Sequence, residues 1–186
     1  MKRLLVITVS LTSFLMMAQE AEIAAHNWSY SGQEGPQRWG DINPENATCK
    51  LGQLQSPIDI RNTKKAPLPA LAFEYKPSAL RITNNGHTIQ VNYDPGSFVV
   101  VGDKRYQLQE FHFHHPSEER IEGKAYEMVV HLVHTDGEGH LAVVAVLLRN
   151  GGTNPAIQKL WEYLPTEEGS ERAVVGMRVN AENLLP

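Results

Sequence analysis

The alternation Glu110-Phe111-His112-Phe113-His114 constrains this chain more than any other feature. Along a β-strand, successive side chains point to opposite faces. Phe111 and Phe113 therefore point one way, into an apolar core. His112 and His114 point the other way, about 6.6 Å apart along the strand at the usual rise. A helix would scatter the same residues around its axis. The segment calls for a sheet with one apolar face and one face that carries imidazoles.

The rest of the sequence supplies partners for that strand. Ile58–Ile60 and Leu71–Tyr75 read as short strands. Leu80–Thr83 runs into Asn84-Asn85-Gly86, and His87–Tyr93 follows; Asn-Gly between apolar runs is a strong hairpin signal. Ser97–Val101, Gly102-Asp103 and Arg105–Leu108 predict a second hairpin. Glu127–His134 is a strand, Thr135–Gly139 a turn. Leu141–Arg149, apolar and β-branched throughout, predicts a central strand buried on both faces. Asn154-Pro155 opens a helix over about 155–163, with proline in its first turn. Residues 165–186 read as loop with short extended pieces. Residues 26–57 read as a non-repetitive wrap anchored by Trp28, Tyr30 and Trp39. With 186 residues, 41% hydrophobic and 20% charged, and with no repeat or linker, the expectation is one β-dominated domain with peripheral helix.

Residues 1–18 stand apart. Lys2 and Arg3 precede an apolar run to Ala18, and polar residues follow. This is the pattern of a secretory signal; the run is short for a membrane span, which needs about 20 apolar residues. The expectation is export to the periplasm or medium, with no stable membrane insertion after cleavage and a domain over 19–186. The net charge is −4, and removing Lys2 and Arg3 leaves the body more acidic. An acidic body without a basic stripe argues against nucleic acid. The single cysteine, Cys49, is unusual in an exported chain: it is either buried and inert or its partner is absent.

His131 lies seventeen positions beyond His114, in Met128-Val129-Val130-His131-Leu132-Val133-His134. The polar connection 116–126 is long enough to return antiparallel and set His131 across from His112 and His114. Three neutral imidazoles on rigid strands can hold Zn²⁺, which takes nitrogen donors at about 2.0–2.1 Å and in catalytic sites leaves a fourth position for water. His134 is in odd register to His131 and faces away. His115 and His140 carry no such signal. Histidine ligands donate their other N–H to a carboxylate or carbonyl. Glu110, two residues before His112 on the same face, suits that role, and Glu118 and Glu119 in the connection can approach the site. Val129, two residues before His131, cannot accept a hydrogen bond, and Glu127 lies about 13 Å away at strand rise.

Trp28-Ser29-Tyr30-Ser31-Gly32, Gln55-Ser56-Pro57-Ile58-Asp59-Ile60, Asn84-Asn85-Gly86-His87, Phe111-His112-Phe113-His114, Pro116-Ser117-Glu118 and His131-Leu132-Val133-His134, in this order, resemble an α-class carbonic anhydrase of the bacterial, exported type. The resemblance covers about 26–186. It implies a central mixed, largely antiparallel sheet. It also implies a zinc lyase that hydrates CO₂ with zinc-bound hydroxide, giving bicarbonate and a proton. His112, His114 and His131 match the zinc ligands and His87 the proton shuttle. Tyr30 and Asn85 match groups that order its water chain, and Glu110 the group orienting His112. Val133 and Val143 match the apolar wall beside CO₂. Glu118 matches a glutamate that fixes a threonine hydroxyl. Partners are CO₂, bicarbonate and water; nothing sets an oligomeric state.

Two departures from the family pattern stand out. Val129 occupies the place of a glutamate that holds the third histidine. The family's C-terminal segment, with that threonine, further strands and a cysteine able to pair with Cys49, has no counterpart after Leu184-Leu185-Pro186. The resemblance therefore also predicts a C-terminally truncated domain and, as the alternative function, a weakly active or inactive zinc-binding remnant. A cupin-type barrel is the other metal fold compatible with His112-x-His114-x₃-Glu118, but its downstream Pro-x-Gly and histidine are missing.

Overall fold

The computed structural model describes residues 28–169 and 171–186; the expected signal at 1–18 lies outside them. The described residues divide into two compact units, one ending at Gln55 and one over Ser56–Pro186. In the first, the described residues form a succession of single turns. Short 3₁₀ turns alternate with helices α1 (Trp39–Ile42) and α2 (Thr48–Leu51). Pro36 and Pro44 each open a 3₁₀ turn, where a missing N–H costs nothing. The rings of Trp28, Tyr30 and Trp39 meet edge to face with centroids 5.1–5.6 Å apart. Trp39 Nε1–H donates to the Ser29 and Glu34 carbonyls, each at 3.0 Å. Cys49 is exposed, which removes the buried, inert alternative.

The second unit is built on strands: β1 (Asp59–Ile60), β2 (Ala72–Glu74), β3 (Ser78–Asn84), β4 (Ile89–Asn92), β5 (Phe98–Val101), β6 (Lys104–His114), β7 (Arg120–Ile121), β8 (Lys124–Ala125), β9 (Met128–Thr135), β10 (Leu141–Leu148) and β11 (Glu171–Val179). The main sheet runs β10-β9-β6-β4-β3-β11, with β5 joining the N-terminal half of β6 and β2 beyond it. Its pairings are antiparallel. The small sheet β1-β7-β8 adds one parallel pairing, Asp59 opposite Arg120. The architecture is mostly β with short helices and a mixed, largely antiparallel sheet, as expected.

The apolar face of the main sheet makes the core. Phe111 is 1% exposed, and Leu80, Ile82, Val91, Val130 and Leu132 are equally buried. Helix α3 (Pro155–Trp161) covers this face, with Leu160 buried beneath it. Asn154 caps it, its Oδ1 accepting the N–H groups of Ala156 and Ile157 at 2.9 and 3.2 Å, which are two of the helix's unpaired donors. Trp161 packs edge-on against Phe113 with centroids 4.9 Å apart. His134 faces this core, as its register requires. It is fully buried, its Nδ1–H donates to the Ala142 carbonyl at 3.1 Å, and its Nε2 accepts from the Tyr75 hydroxyl at 2.8 Å.

Four expectations are corrected. Leu141–Leu148 is not a central strand: it lies at the end of the main sheet, paired with β9 among the described residues. Only its even-numbered residues pack on the core, while Leu141 is 68% and Val143 51% exposed. An unbroken apolar run cannot by itself distinguish one buried face from two. The tail is not mainly loop, because β11 pairs with β3. Val174, Met177 and Val179 are partly buried against the core, but the register shifts between Ala173 and Arg178, around Gly176 with φ of +76°, so no regular alternation marked the strand. The connection after His114 holds β7 and β8. Finally, Arg105–Leu108 and Glu110–His114 are one strand, β6, interrupted by a bulge.

Candidate metal centre

The bulge sets up the site. Leu108 pairs with His134, and Glu110 pairs with Val133. Residues 133 and 134 point to opposite faces, so Leu108 and Glu110 do too, although they are two positions apart. The extra residue, Gln109, re-aims the strand. Leu108 enters the core and Glu110, His112 and His114 all reach the other face. There, His112 is directly opposite His131, and His114 is directly opposite Val129.

The three imidazoles converge. Ring centroids of His112, His114 and His131 lie 4.9–5.3 Å apart, and one ligating atom from each lies within 4.8 Å of the others. Each ring is half-buried or buried, His131 being 5% exposed. Burial first, then the neighbouring His112 and His131, push the His114 pKa down to about 4. That ring is neutral at physiological pH, with a lone pair to offer a cation.

Two rings are oriented by carboxylates. His112 Nδ1 lies 3.0 and 2.9 Å from the two oxygens of Glu110, so Nδ1 carries the proton and Nε2 is left for a metal. His131 Nε2 lies 2.9 and 3.1 Å from the oxygens of Glu119, so Nε2 carries the proton and Nδ1 is left. A third carboxylate approaches from the same connection: Glu118 Oε2 is 3.3 Å from His114 Nε2 and 3.8 Å from His131 Nδ1. This donor set suits a borderline divalent ion such as zinc: three imidazole nitrogens, two of them on rings hydrogen-bonded from behind by a carboxyl group.

The remaining expected residues fall as follows. Val133 is opposite Val143 on β10, and Val133 also faces Glu110, so both valines share the histidine face. Asn85 is exposed and organises the β3–β4 turn. Its Oδ1 accepts the N–H groups of His87 and Thr88 at 3.1 and 2.9 Å, and Gly86, between Asn85 and His87, has φ of +85°, a backbone that favours glycine. His87 is half-buried at the end of this turn. Thr88 Oγ1 donates to the Phe113 carbonyl and accepts the Phe113 N–H, which ties the turn to β6 between His112 and His114. Tyr30 belongs to the other unit and is 43% exposed. Glu127 contributes only its backbone carbonyl, to His115 Nδ1–H at 2.6 Å. Glu119 is the residue whose contact strand periodicity could not assign, since it lies in a connection and reaches its ring across 12 positions. A second group of possible ligands, Asp136, Glu138 and His140, forms the β9–β10 turn, where Asp136 Oδ1 accepts both neighbouring N–H groups.

Comparison with known proteins agrees with this geometry. Residues 34–186 match the family model for eukaryotic-type carbonic anhydrase. A carbonic anhydrase of Nostoc sp. is 37% identical over 190 residues, covering 99% of this chain and 72% of that protein. A hyperthermostable carbonic anhydrase from a hydrothermal vent chimney superposes with a TM-score of 0.81 and 46% identity, over 86% of this chain and 71% of the other. The α-carbonic anhydrase of Thermovibrio ammonificans, solved with the inhibitor sulfanilamide, gives 0.80 and 43% over the same shares. The chain belongs to the eukaryotic-type, or α, carbonic anhydrase family, whose enzymes are carbonate dehydratases.

Proposed function

We propose that this chain hydrates carbon dioxide reversibly to bicarbonate and a proton, with a zinc ion held by His112, His114 and His131. The observation that carries the reading is the convergence of three imidazoles, two of them fixed in opposite tautomers by carboxylates. In carbonic anhydrases, the reference case for this effect, zinc on three histidines lowers the pKa of water to about 7 and so supplies a nucleophile at neutral pH.

The chain's own residues do the rest. Glu110 holds the proton on His112 Nδ1 and keeps Nε2 aimed inward. Glu118 Oε2, beside the inward nitrogens of His114 and His131, is placed to accept a hydrogen bond from a water held there. Val133 and Val143 provide an apolar surface beside the histidines, where a nonpolar gas can replace loosely held water. Hydration of CO₂ releases one proton; its transfer to buffer falls to His87, whose turn Thr88 anchors to β6. The pattern of residues 1–18 supports export to the periplasm or medium.

A second reading, a zinc-binding protein with weak turnover, is favoured by one feature. Val143 is 51% exposed, so among the described residues the apolar wall is open to water. A stopped-flow hydration assay tests the proposal. Zinc-dependent proton release that sulfanilamide suppresses supports the enzyme. One zinc per chain with a rate equal to that of the His131→Ala variant supports the second reading.

A further inference from the structure

We infer that Glu119 is the positioning residue of His131 and that it acts from the β6–β9 connection because the strand cannot supply one. The inference rests on the zinc reading above. Glu110 shows what a strand can do: two residues before His112 and on the same face, its carboxylate reaches the ring nitrogen at 2.9 Å. The corresponding place on β9 is Val129. It is fully buried, lies opposite His114 and has no acceptor. Left to its own strand, His131 would be a buried imidazole with nothing to choose its tautomer.

Glu119 fills that role from outside the strand. Both its oxygens lie within 3.1 Å of Nε2, and its side chain is 13% exposed, so the bond is shielded from water. Its backbone is braced. The Ser117 hydroxyl donates to the Glu119 carbonyl at 2.7 Å and accepts the Tyr126 N–H at 2.8 Å. Ser117 N–H donates to the Tyr126 carbonyl at 3.0 Å. The next residue, Arg120, donates its N–H to Ile58 and pairs with Asp59 on β1. Glu119 is thus held by Ser117 on one side and by the pairing of β7 with β1 on the other, which fixes where its carboxylate reaches the ring.

The test measures zinc affinity by competition with a chromophoric chelator, together with the His131 ring tautomer by ¹⁵N NMR in the metal-free protein. Glu119→Ala is expected to weaken zinc ten- to hundredfold, the range for loss of a group orienting a metal-bound histidine, and to remove the strong bias toward the Nε2–H tautomer. Glu119→Gln, which keeps the shape and an acceptor oxygen, is expected to retain the tautomer and lose less affinity. Adding Val129→Glu to Glu119→Ala is expected to restore most of the affinity, because that carboxylate repeats the Glu110–His112 arrangement. Exposed Glu127→Ala serves as control and changes neither readout. The inference is overturned if folded Glu119→Ala and Glu119→Gln bind zinc within twofold of the parent with the tautomer unchanged. Retention of zinc by His131→Ala instead overturns the zinc reading itself, whatever Glu119 does.

Discussion

His112 and His131 stand directly opposite each other on β6 and β9, yet carboxylates hold them by different nitrogens, Nδ1 in His112 and Nε2 in His131. Facing strands present their imidazoles from opposite sides of one point. Opposite tautomers are what allow both lone pairs to reach it. Removing Glu110 should therefore loosen the site without moving the strand. Glu110→Ala is expected to lower zinc affinity ten- to hundredfold, and Glu110→Gln, whose amide oxygen still accepts the Nδ1–H, less. Chelator competition measures both; an unchanged affinity in Glu110→Ala would show that sheet packing alone orients the ring.

Alternation along β6 makes stability and chemistry separable. Phe111 is buried in the core and the adjacent His112 faces the site. Phe111→Ala is expected to cost about 3–5 kcal/mol of unfolding free energy while the folded fraction keeps its zinc. His112→Ala should lose zinc with a much smaller change in the metal-free stability. Urea unfolding of metal-free protein and zinc per folded chain, measured on both variants, distinguish the two faces.

His87→Ala is expected to slow CO₂ hydration mainly when buffer is dilute, with most of the rate recovered by added imidazole. Proton removal then limits turnover, and an external carrier replaces the missing one. Equal buffer dependence in parent and variant would remove the shuttle role.

The core histidine predicts an acid-sensitive fold. Burial, the dominant cause, holds the His134 pKa below its ordinary 6.5. The unfolded chain therefore takes up the proton first as pH falls. Stability contributed by keeping this ring neutral is complete above pH 6.5 and declines below it, toward the depressed folded-state value. His134→Gln can keep both hydrogen bonds and does not titrate. Because the unfolded chain protonates at about 6.5, the metal-free variant should lose less stability than the metal-free parent as pH falls from about 7.5 to about 5, as read by urea midpoints. Parallel loss in the two proteins would assign the acid sensitivity to other groups.

Much of the site was legible because it rests on two strands with clean alternation. Phe-His-Phe-His and the run around His131 mark one face each, and Glu110 shares its face with His112. The parts that were not legible depend on contacts between distant residues. Glu119 reaches His131 from a connection, where no periodicity assigns direction. The bulge at Gln109 inverts the faces on either side of it, and only the pairing of Leu108 with His134 reveals it. Leu141–Leu148 carries enough apolar residues for two buried faces, but the sheet covers one. In β11 only Val174, Met177 and Val179 pack on the core, and Gly176 shifts the register between Ala173 and Arg178, so these apolar residues do not alternate in the sequence.

Zinc stoichiometry across the three histidines tests the central claim most directly. Metal-free protein titrated with zinc, followed by removal of loosely bound ion and elemental analysis, should retain one zinc per chain. His112→Ala, His114→Ala and His131→Ala should each retain essentially none, while the core variant His134→Gln retains it in full. Stoichiometric zinc in any of the three alanine variants, or none in the parent, would contradict a metal centre at this point of the sheet.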